Sequence, residues 1–267
     1  MSSVKGRTMV ITGGAGNVGL AIIRMALERG MNVAFLSGWH SKAQAAIEKL
    51  DPKYRDQLCG YAQDPQFMPE KNLEDAPALY TRETTQRDVM GWIAERFGGI
   101  DVMLNGSGDH KWASFDTIDP PFWRNAMQQL ETAFFSTQYA MPYLEKSPAP
   151  RVINLTTADG RGGGYRLHPA YAACRGGMVS LTHELARELG PRGVTVNCVL
   201  TGHIEEDVPD MDRLSDEMRS RMVEMTPLGR LGVPGDVAGV VNFLMTDEAS
   251  FINGAVIDVN GGMITCG

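Results

Sequence analysis

A glycine-rich segment near the amino terminus constrains the fold of this chain more than any other feature. The apolar run 9–12 leads into glycines at 13, 16 and 19, and the apolar, helically spaced segment 20–29 follows. That order is typical of a strand, a tight turn and a helix. Glycines leave the backbone open to a phosphate, and the first N–H groups of a helix attract negative charge. Three glycines at this spacing also occur in ordinary turns. The prediction of a dinucleotide site therefore depends on their position between the first strand and the first helix.

The composition excludes several classes of protein. A net charge of −7 over 267 residues, with no cluster of Lys and Arg, argues against a nucleic-acid surface. The polar start lacks the apolar core of a signal peptide, and no apolar run approaches the roughly 20 residues that cross a bilayer. Four cysteines are scattered without C-x-x-C spacing, which predicts reduced thiols in a cytoplasmic protein.

Strand and helix patterns alternate along the whole chain. After the first strand and helix, strands are predicted at 32–36, 58–63, 102–105, 151–156, 194–200 and 255–259. Helices are predicted at 41–50, 84–97, 122–144, 169–189, 212–223 and 234–246, and a surface loop insertion is predicted at 64–79. This alternation predicts one α/β domain over 1–267, with a doubly wound parallel sheet covered on both faces. Ligands of such sheets bind at the carboxyl ends of the strands.

The chain resembles the short-chain dehydrogenase/reductase family over almost its whole length. The matching motifs, in chain order, are Thr12-Gly13 with Gly19, 100–105 with Gly108, 152–154 with Gly160, Tyr171, 194–197 with Gly202, 227–230 and 257–262. Their order and spacing are more specific than any one of them. The resemblance implies a Rossmann-like, three-layer α/β/α fold of about seven strands, a nicotinamide cofactor and a homotetramer or homodimer.

The resemblance also assigns functional positions. The cofactor-binding positions are Thr12, Gly13, Gly16, Asn17, Val18, Gly19, Asn105, Gly106, Tyr171, Arg175, Gly202 and Ile204. The catalytic positions are Tyr171 as acid and base, Arg175 as the cation that tunes it, Thr157 as the substrate-orienting hydroxyl and Gln129 as a supporting polar group. Thr156 is an alternative to Thr157, and a structural role for Thr157 at the end of its strand stays open. The segment 203–226 is expected to cover a small-molecule substrate.

Two residues differ from the family pattern at positions that carry the catalytic proton in the family. The family has lysine where Arg175 stands and asparagine where Gln129 stands. A tyrosine acts as acid and base only if its pKa, near 10, is lowered toward neutrality. Arg175 lies one helical turn after Tyr171 and can supply the charge, but it cannot readily release a proton. Gln129 is one methylene longer than asparagine and would displace a relay water. We expect slow chemistry, a different proton route or lost redox activity.

Loop histidines and carboxylates offer a different proton route. Three histidines fall on the same side of the predicted sheet as the strand ends, with four carboxylates beside them: His110, His168, His203, Asp109, Glu205, Glu206 and Asp207. Histidine titrates near neutral pH, so one of these histidines could carry the proton that lysine carries in the family. The simpler interpretation of each is a solvated loop residue, and no ligand spacing supports a metal site. Glu206 stands where the family has a threonine that contacts the carboxamide.

The end of the second strand favours NADP over NAD. NAD selection usually places an acidic residue there, to bind the ribose diol. No carboxylate occurs between 37 and 42, where Ser37, His40, Ser41 and Lys42 could accept a 2′-phosphate. Trp39 could stack on adenine or cover the loop.

The sequence therefore predicts an NADP-preferring oxidoreductase that interconverts a carbonyl and a secondary alcohol on a small molecule, with no nucleic-acid or membrane partner. The alternative is a nucleotide-binding protein of the same fold with a lyase, isomerase, cyclase or regulatory role.

Overall fold

The computed structural model describes residues 4–38, 40–62, 86–106, 113–162, 168–205 and 215–265. The predicted loop insertion at 64–79 therefore lies outside the described residues, as do Trp39, Asp109, His110, Glu206 and Asp207.

Seven parallel strands form one sheet, which confirms the predicted Rossmann-like α/β fold. In chain order, β1 to β7 span Thr8–Thr12, Asn32–Ser37, Leu58–Ala62, Val102–Asn105, Arg151–Thr157, Thr195–Thr201 and Val256–Val259. The spatial order is β3-β2-β1-β4-β5-β6-β7. The chain reverses its direction of winding between β1 and β4, which is where such sheets bind ligands.

The helices occur where the hydrophobic periodicity predicts them, with ends shifted by a few residues. In chain order, α1 to α8 span Asn17–Glu28, His40–Glu48, Gln86–Phe97, Pro120–Leu144, Asp159–Gly162, Pro169–Leu189, Asp216–Glu224 and Pro234–Leu244. The start predicted for α4 at Phe122 is wrong. The carboxylate of Asp119 accepts a hydrogen bond from the Phe122 N–H at 2.8 Å, and prolines are tolerated in a first turn.

Several short helices occur where the sequence predicted none, among them one after α2 and one after β5. A 3₁₀ helix at Pro52–Gln57 follows α2, and its first turn is closed by Asp51, whose carboxylate accepts from the Lys53 N–H. The single turn of α5 replaces part of the predicted glycine loop after β5. Both segments are too short for a hydrophobic period to reveal them.

Apolar side chains cover both faces of the sheet. Met9 and Ile11 of β1 pack with α1, α2 and α8, while Val10 between them packs with α3, α4 and α6 on the other face. All three side chains are almost fully buried. A strand that is buried on both faces has no polar alternation, which explains why these strands appear in the sequence as continuous apolar runs.

A row of polar side chains crosses the sheet beneath the strand ends. The amide of Asn105 on β4 donates to Thr137 of α4 at 3.0 Å and to the Asn154 amide oxygen of β5 at 2.8 Å. Asn154 donates in turn to the Thr182 hydroxyl of α6 at 2.9 Å, and Thr182 donates to the Met178 carbonyl. We call Asn105, Asn154 and Thr182 the amide ladder. It ties two strands to the helices that carry the site.

In the part of the chain that the structure describes, no helix is both long enough and apolar enough to span a membrane.

Candidate active site

The turn between β1 and α1 requires glycine. Gly13 has φ +75°, a left-handed conformation that favours glycine. A Cβ on Gly19 would lie 2.7 Å from the Gly14 Cα and 2.8 Å from the Gly13 carbonyl oxygen, so α1 packs directly on the turn. Gly14, which the sequence analysis did not single out, is equally constrained, because a Cβ there would lie 2.6 Å from the Phe35 Cβ. The backbone is therefore exposed along one side of a tight cradle.

The first turn of α1 suits an anionic group. Gly16 begins the helix without a side-chain cap, and the first turn, which contains Asn17 and Val18, has no acidic residue. The N–H groups of an uncapped helix start need acceptors, and the helix dipole favours negative charge there. The exposed backbone of Gly16 and the half-buried Asn17 could therefore hold a pyrophosphate, as predicted. Val18 is buried in the core and can contribute only its backbone.

The positions predicted to select NADP lie at the end of β2 and the start of α2. Ser37 is buried, whereas Ser41 and Lys42 are exposed in the first turn of α2. That turn contains no acidic residue. The side chain of His40 lies outside the described residues. The described side chains thus present hydroxyl groups and one positive charge where a 2′-phosphate would be bound.

Three of the predicted cofactor positions, Thr12, Asn105 and Gly106, connect the strand ends beneath the site. The Thr12 hydroxyl accepts from the Gly106 N–H at 3.2 Å, and Asn105 belongs to the amide ladder. A Cβ on Gly106 would lie 3.1 Å from the Thr12 carbonyl oxygen. These contacts join the ends of β1 and β4, so the side chains of Thr12 and Asn105 hold the framework of the site.

Gly202 and Ile204 follow β6 and are also closely packed. A Cβ on Gly202 would lie 2.8 Å from the Asn260 Cα, and the buried Ile204 pairs with Gly232 as an isolated bridge.

Tyr171, Thr157 and Arg175 meet at the carboxyl end of β5. The phenol of Tyr171 is hydrogen-bonded to the Thr157 hydroxyl, and both Tyr171 and Arg175 are about 5% exposed or less. The Arg175 guanidinium carbon lies 4.6 Å from the centre of the Tyr171 ring, as expected for residues one helical turn apart. The Thr156 hydroxyl faces elsewhere and donates to the Arg175 carbonyl at 3.0 Å. The alternative at Thr156 is therefore wrong, and Thr157 is the hydroxyl that faces the phenol.

In the protein without cofactor, burial outweighs the positive charge of Arg175 in setting the Tyr171 pKa. Burial raises the pKa of the Tyr171 phenol above its ordinary value, because a phenolate loses its hydration in the interior. The positive charge of Arg175 and the hydrogen bond from Thr157 lower it, but burial is the larger effect. The phenol is therefore protonated at neutral pH and is poised to donate a proton.

Two buried side-chain nitrogen atoms of predicted site residues can donate hydrogen bonds to further partners. Among the described residues, no acceptor bonds to Nε of Arg175 or to Nε2 of Gln129. Buried donors without an acceptor are costly, so both positions suit a ligand with oxygen acceptors, such as the hydroxyls of a ribose. Together with the glycine cradle and the uncapped α1, the residues present fit a nicotinamide nucleotide.

The comparisons agree with this geometry. A family model described as enoyl-(acyl carrier protein) reductase matches residues 80–264. The 3-oxoacyl-(acyl-carrier-protein) reductase FabG of Staphylococcus aureus is 31% identical over 96% of this chain and 98% of its own. A solved structure from Brucella melitensis, described as a short-chain dehydrogenase/reductase of the glucose/ribitol dehydrogenase type, is 26% identical, covers 99% of both chains and has a TM-score of 0.80. The chain belongs to the short-chain dehydrogenase/reductase family.

Two further relatives agree. FabG of Vibrio cholerae is 30% identical over 98% of both chains. A Serratia marcescens short-chain dehydrogenase/reductase mutant is 21% identical over 98% of this chain and 99% of its own, with a TM-score of 0.81, a likeness that shows the fold alone. As a short-chain dehydrogenase/reductase, this chain is an oxidoreductase with a nicotinamide cofactor.

His168 has a structural role in this short-chain dehydrogenase/reductase. Its Nδ1 accepts a hydrogen bond from the Tyr171 N–H at 2.9 Å and caps α6. The ring packs edge-on against Phe122 at 4.8 Å, and burial lowers its pKa. The cap fixes the start of the helix that carries Tyr171, which positions the phenol. A histidine cap is uncommon, so it could not be predicted from the residue type.

Asp159 is a site residue that the sequence analysis missed. Thr157 donates its hydroxyl proton to the Asp159 carboxylate at 2.9 Å. The negative charge of Asp159 also raises the pKa values of Tyr171 and of His203, although burial lowers the pKa of His203 overall. The only signal in the sequence is its spacing of two residues from Thr157, which does not predict a contact by itself.

The segment expected to cover the substrate is described only in part. Residues 203–205 and 215–226 are described, and α7 lies within the second range. Glu205 pairs with Arg219 of α7, which ties the two described parts together. His110 and Glu206 lie outside the described residues, so their predicted roles remain predictions.

A cavity of about 760 Å³ lies beside this segment. Its walls include Ile204, Leu228 and Asn260, but neither Tyr171 nor Thr157. The cavity is therefore separate from the Tyr171 phenol.

Proposed function

We propose that this short-chain dehydrogenase/reductase is an NADP-preferring reductase that converts a carbonyl of a small molecule to a secondary alcohol. The observation that carries the proposal is that Thr157 and Arg175 both contact the buried Tyr171, at the same edge of the sheet as the glycine cradle. When bound, the nicotinamide supplies or accepts the hydride. Tyr171 exchanges the proton with the substrate oxygen, and the Thr157 hydroxyl orients that oxygen.

The protonated phenol favours the reductive direction. Reduction needs a proton donor at the carbonyl oxygen, whereas oxidation needs a base. Because burial raises the pKa of Tyr171, the donor form predominates at neutral pH. Positive charge from Arg175 stabilises the phenolate that forms as the proton leaves.

The experiment that tests this function uses the purified protein with NADPH and NADH. Binding is followed by the fluorescence of the reduced nicotinamide, and turnover by its absorbance with a panel of ketones and aldehydes. We expect tighter binding of NADPH and oxidation of it by at least one carbonyl compound. Binding without oxidation would favour the non-redox or regulatory alternative, and no binding at all would contradict both.

The NADP preference makes a sharper prediction at Lys42. A change of Lys42→Asp places a carboxylate in the first turn of α2, where it repels a 2′-phosphate and can bind a ribose diol. We expect the ratio of the NADH to the NADPH dissociation constant to fall by about tenfold or more, as for a lost charged hydrogen bond.

The control for Lys42 is Lys49→Asp, which makes the same change of charge just beyond the other end of α2, on another exposed residue. Equal effects of the two changes on the ratio would indicate net charge alone and would contradict recognition at Lys42.

Arg175 allows a second prediction. If the Arg175 guanidinium acts only by lowering the pKa of the Tyr171 phenol, Arg175→Lys should keep or raise kcat. Lysine retains the positive charge and can also relay a proton. Arg175→Met removes the charge at similar length and should raise the Tyr171 pKa further, since Arg175 is the largest effect that lowers it. Steady-state kcat and the alkaline limit of the pH profile measure both variants. A loss of activity in Arg175→Lys equal to that in Arg175→Met would contradict a tuning role.

We further propose that the protein is one domain, acts in the cytoplasm and forms a homodimer or homotetramer. The α4 helix supports the last proposal, because Trp123, Phe134 and Phe135 are each more than a third exposed along it.

A further inference from the structure

The replacement of lysine by Arg175 leaves open how Tyr171 recovers its proton. After the phenol has protonated a substrate oxygen, a proton must return from water before the next turnover. Arginine stays protonated in proteins, so Arg175 cannot relay that proton. We propose that Asp159 returns it, through the hydroxyl of Thr157. This inference rests on the function proposed above.

The hydrogen bonds form an unbroken path between the two end groups. The Thr157 hydroxyl donates to Asp159 Oδ2 at 2.9 Å and is hydrogen-bonded to the Tyr171 phenol on its other side. A hydroxyl has one proton to donate and two lone pairs to accept. Thr157 can therefore direct its proton to the carboxylate or to the phenol oxygen, and accept a hydrogen bond from the other group. Each of the three groups is thus one hydrogen bond from the next.

Asp159 is held in place by the packing of its helical turn. A Cβ on Gly160 would lie 2.6 Å from the Arg175 carbonyl carbon, so α5 packs directly on α6. On the outer side of the turn, Arg161 forms a partly exposed ion pair with Asp258 of β7 at 3.1 Å. Asp159 itself is partly exposed, so its carboxyl group can exchange protons with water.

The charges around the path are of both signs. Arg175 lies on the far side of the Tyr171 ring, Arg161 follows Asp159 on α5 and pairs with Asp258, and His203 interacts with Asp159 after β6. The Asp159 carboxylate is therefore part of a cluster of positive and negative side chains. A proton can bind to it or leave it without creating an isolated buried charge.

The proposed sequence balances atoms and charge. When bound, the reduced cofactor would supply the hydride for the new C–H bond, and the Tyr171 O–H bond breaks as its proton goes to the substrate oxygen. Water then protonates the Asp159 carboxylate, the resulting carboxyl group gives its proton to the Thr157 oxygen, and Thr157 gives its own proton to the phenolate. The net change is one carbonyl reduced, one reduced nicotinamide oxidised and one solvent proton consumed.

The test compares Asp159→Asn with Asp258→Asn. Asparagine at 159 can still accept from Thr157 but cannot carry the proton. We expect kcat for reduction of a carbonyl substrate to fall by about 10- to 100-fold, and the ratio of kcat in H₂O to kcat in D₂O to rise. Asp258→Asn removes a neighbouring carboxylate that pairs with Arg161 and not with Thr157, and a partly exposed ion pair contributes little. We expect it to change kcat about twofold at most.

A second measurement needs neither cofactor nor substrate. The absorbance of tyrosinate is followed as the pH rises. Each variant is compared with the same variant that also carries Tyr171→Phe, and the difference between the two curves is the titration of Tyr171 alone. Because the charge of Asp159 raises the Tyr171 pKa, Asp159→Asn should lower it, and Asp258→Asn should leave it unchanged. Asp159→Glu keeps a carboxyl group and should recover part of kcat, while melting curves confirm that each variant is folded.

The outcomes are distinguishable. A wild-type protein that oxidises NADPH, with equal kcat in Asp159→Asn and Asp258→Asn, overturns the inference and keeps the proposed function. If the wild-type protein oxidises no reduced nicotinamide with any carbonyl compound, the proposed function fails, and the Tyr171 titration then decides on Asp159. Identical titrations in the wild type and Asp159→Asn would also overturn the inference.

Discussion

Replacing Tyr171 with phenylalanine is expected to lower kcat for carbonyl reduction by about 10²- to 10⁴-fold, the usual contribution of a positioned acid. The substitution removes one oxygen from the buried group of Tyr171, Thr157 and Arg175. Thr157 keeps its hydrogen bond to Asp159, whereas Arg175 loses the phenol oxygen as an acceptor. Steady-state turnover with NADPH measures the loss.

The dissociation constant for NADPH and the melting temperature are the controls for this variant. Both should change little, because the ring of Tyr171 stays beneath Arg175 and the His168 cap bonds only to the backbone N–H. If Tyr171→Phe keeps normal turnover, the acid lies elsewhere, and His168 and His110 would be tested next.

Changing Gly19 to alanine is expected to abolish tight NADPH binding. The added Cβ would lie 2.7–2.8 Å from backbone atoms of Gly13 and Gly14, and backbone atoms cannot rotate away as a side chain can. The turn must therefore open, which moves the cradle off the start of α1. We expect the NADPH dissociation constant to rise by at least tenfold and the free energy of unfolding to fall by about 1–3 kcal/mol.

Gly239→Ala is the matched control for Gly19→Ala. Gly239 lies inside α8, and a Cβ there meets no atom within 4 Å. Alanine is the better helix former, so this variant should be equally stable or more stable by about 0.5–1 kcal/mol, with unchanged NADPH binding. If Gly19→Ala binds NADPH like the control, the phosphates do not lie on this turn.

The fold could be predicted because its signals are local. Each strand of the sheet is a short apolar run, and each long helix shows an apolar face with breakers at its ends. The contact between Tyr171 and Arg175 could also be predicted, since residues one turn apart share a helix face. These properties depend on neighbours in the sequence and need no tertiary information.

The electrostatics of the site could not be predicted in the same way. The Tyr171 pKa depends on how completely the phenol is buried, and the sequence does not give that depth. Asp159 reaches Thr157 only because β5 ends in a single helical turn that Gly160 allows to pack on α6. His168 was expected to be a proton carrier or a solvated loop residue, and instead it caps a helix.

The amide ladder has a consequence for how this enzyme can diverge. Replacing any one of Asn105, Asn154 and Thr182 with an apolar residue would leave the others with buried groups that lack partners, at a cost of about 1–3 kcal/mol each. Compensation would need several simultaneous changes on different elements. New substrate ranges are therefore reached through the loops above the strand ends, and directed evolution of this protein should mutate those loops and leave the three ladder positions fixed.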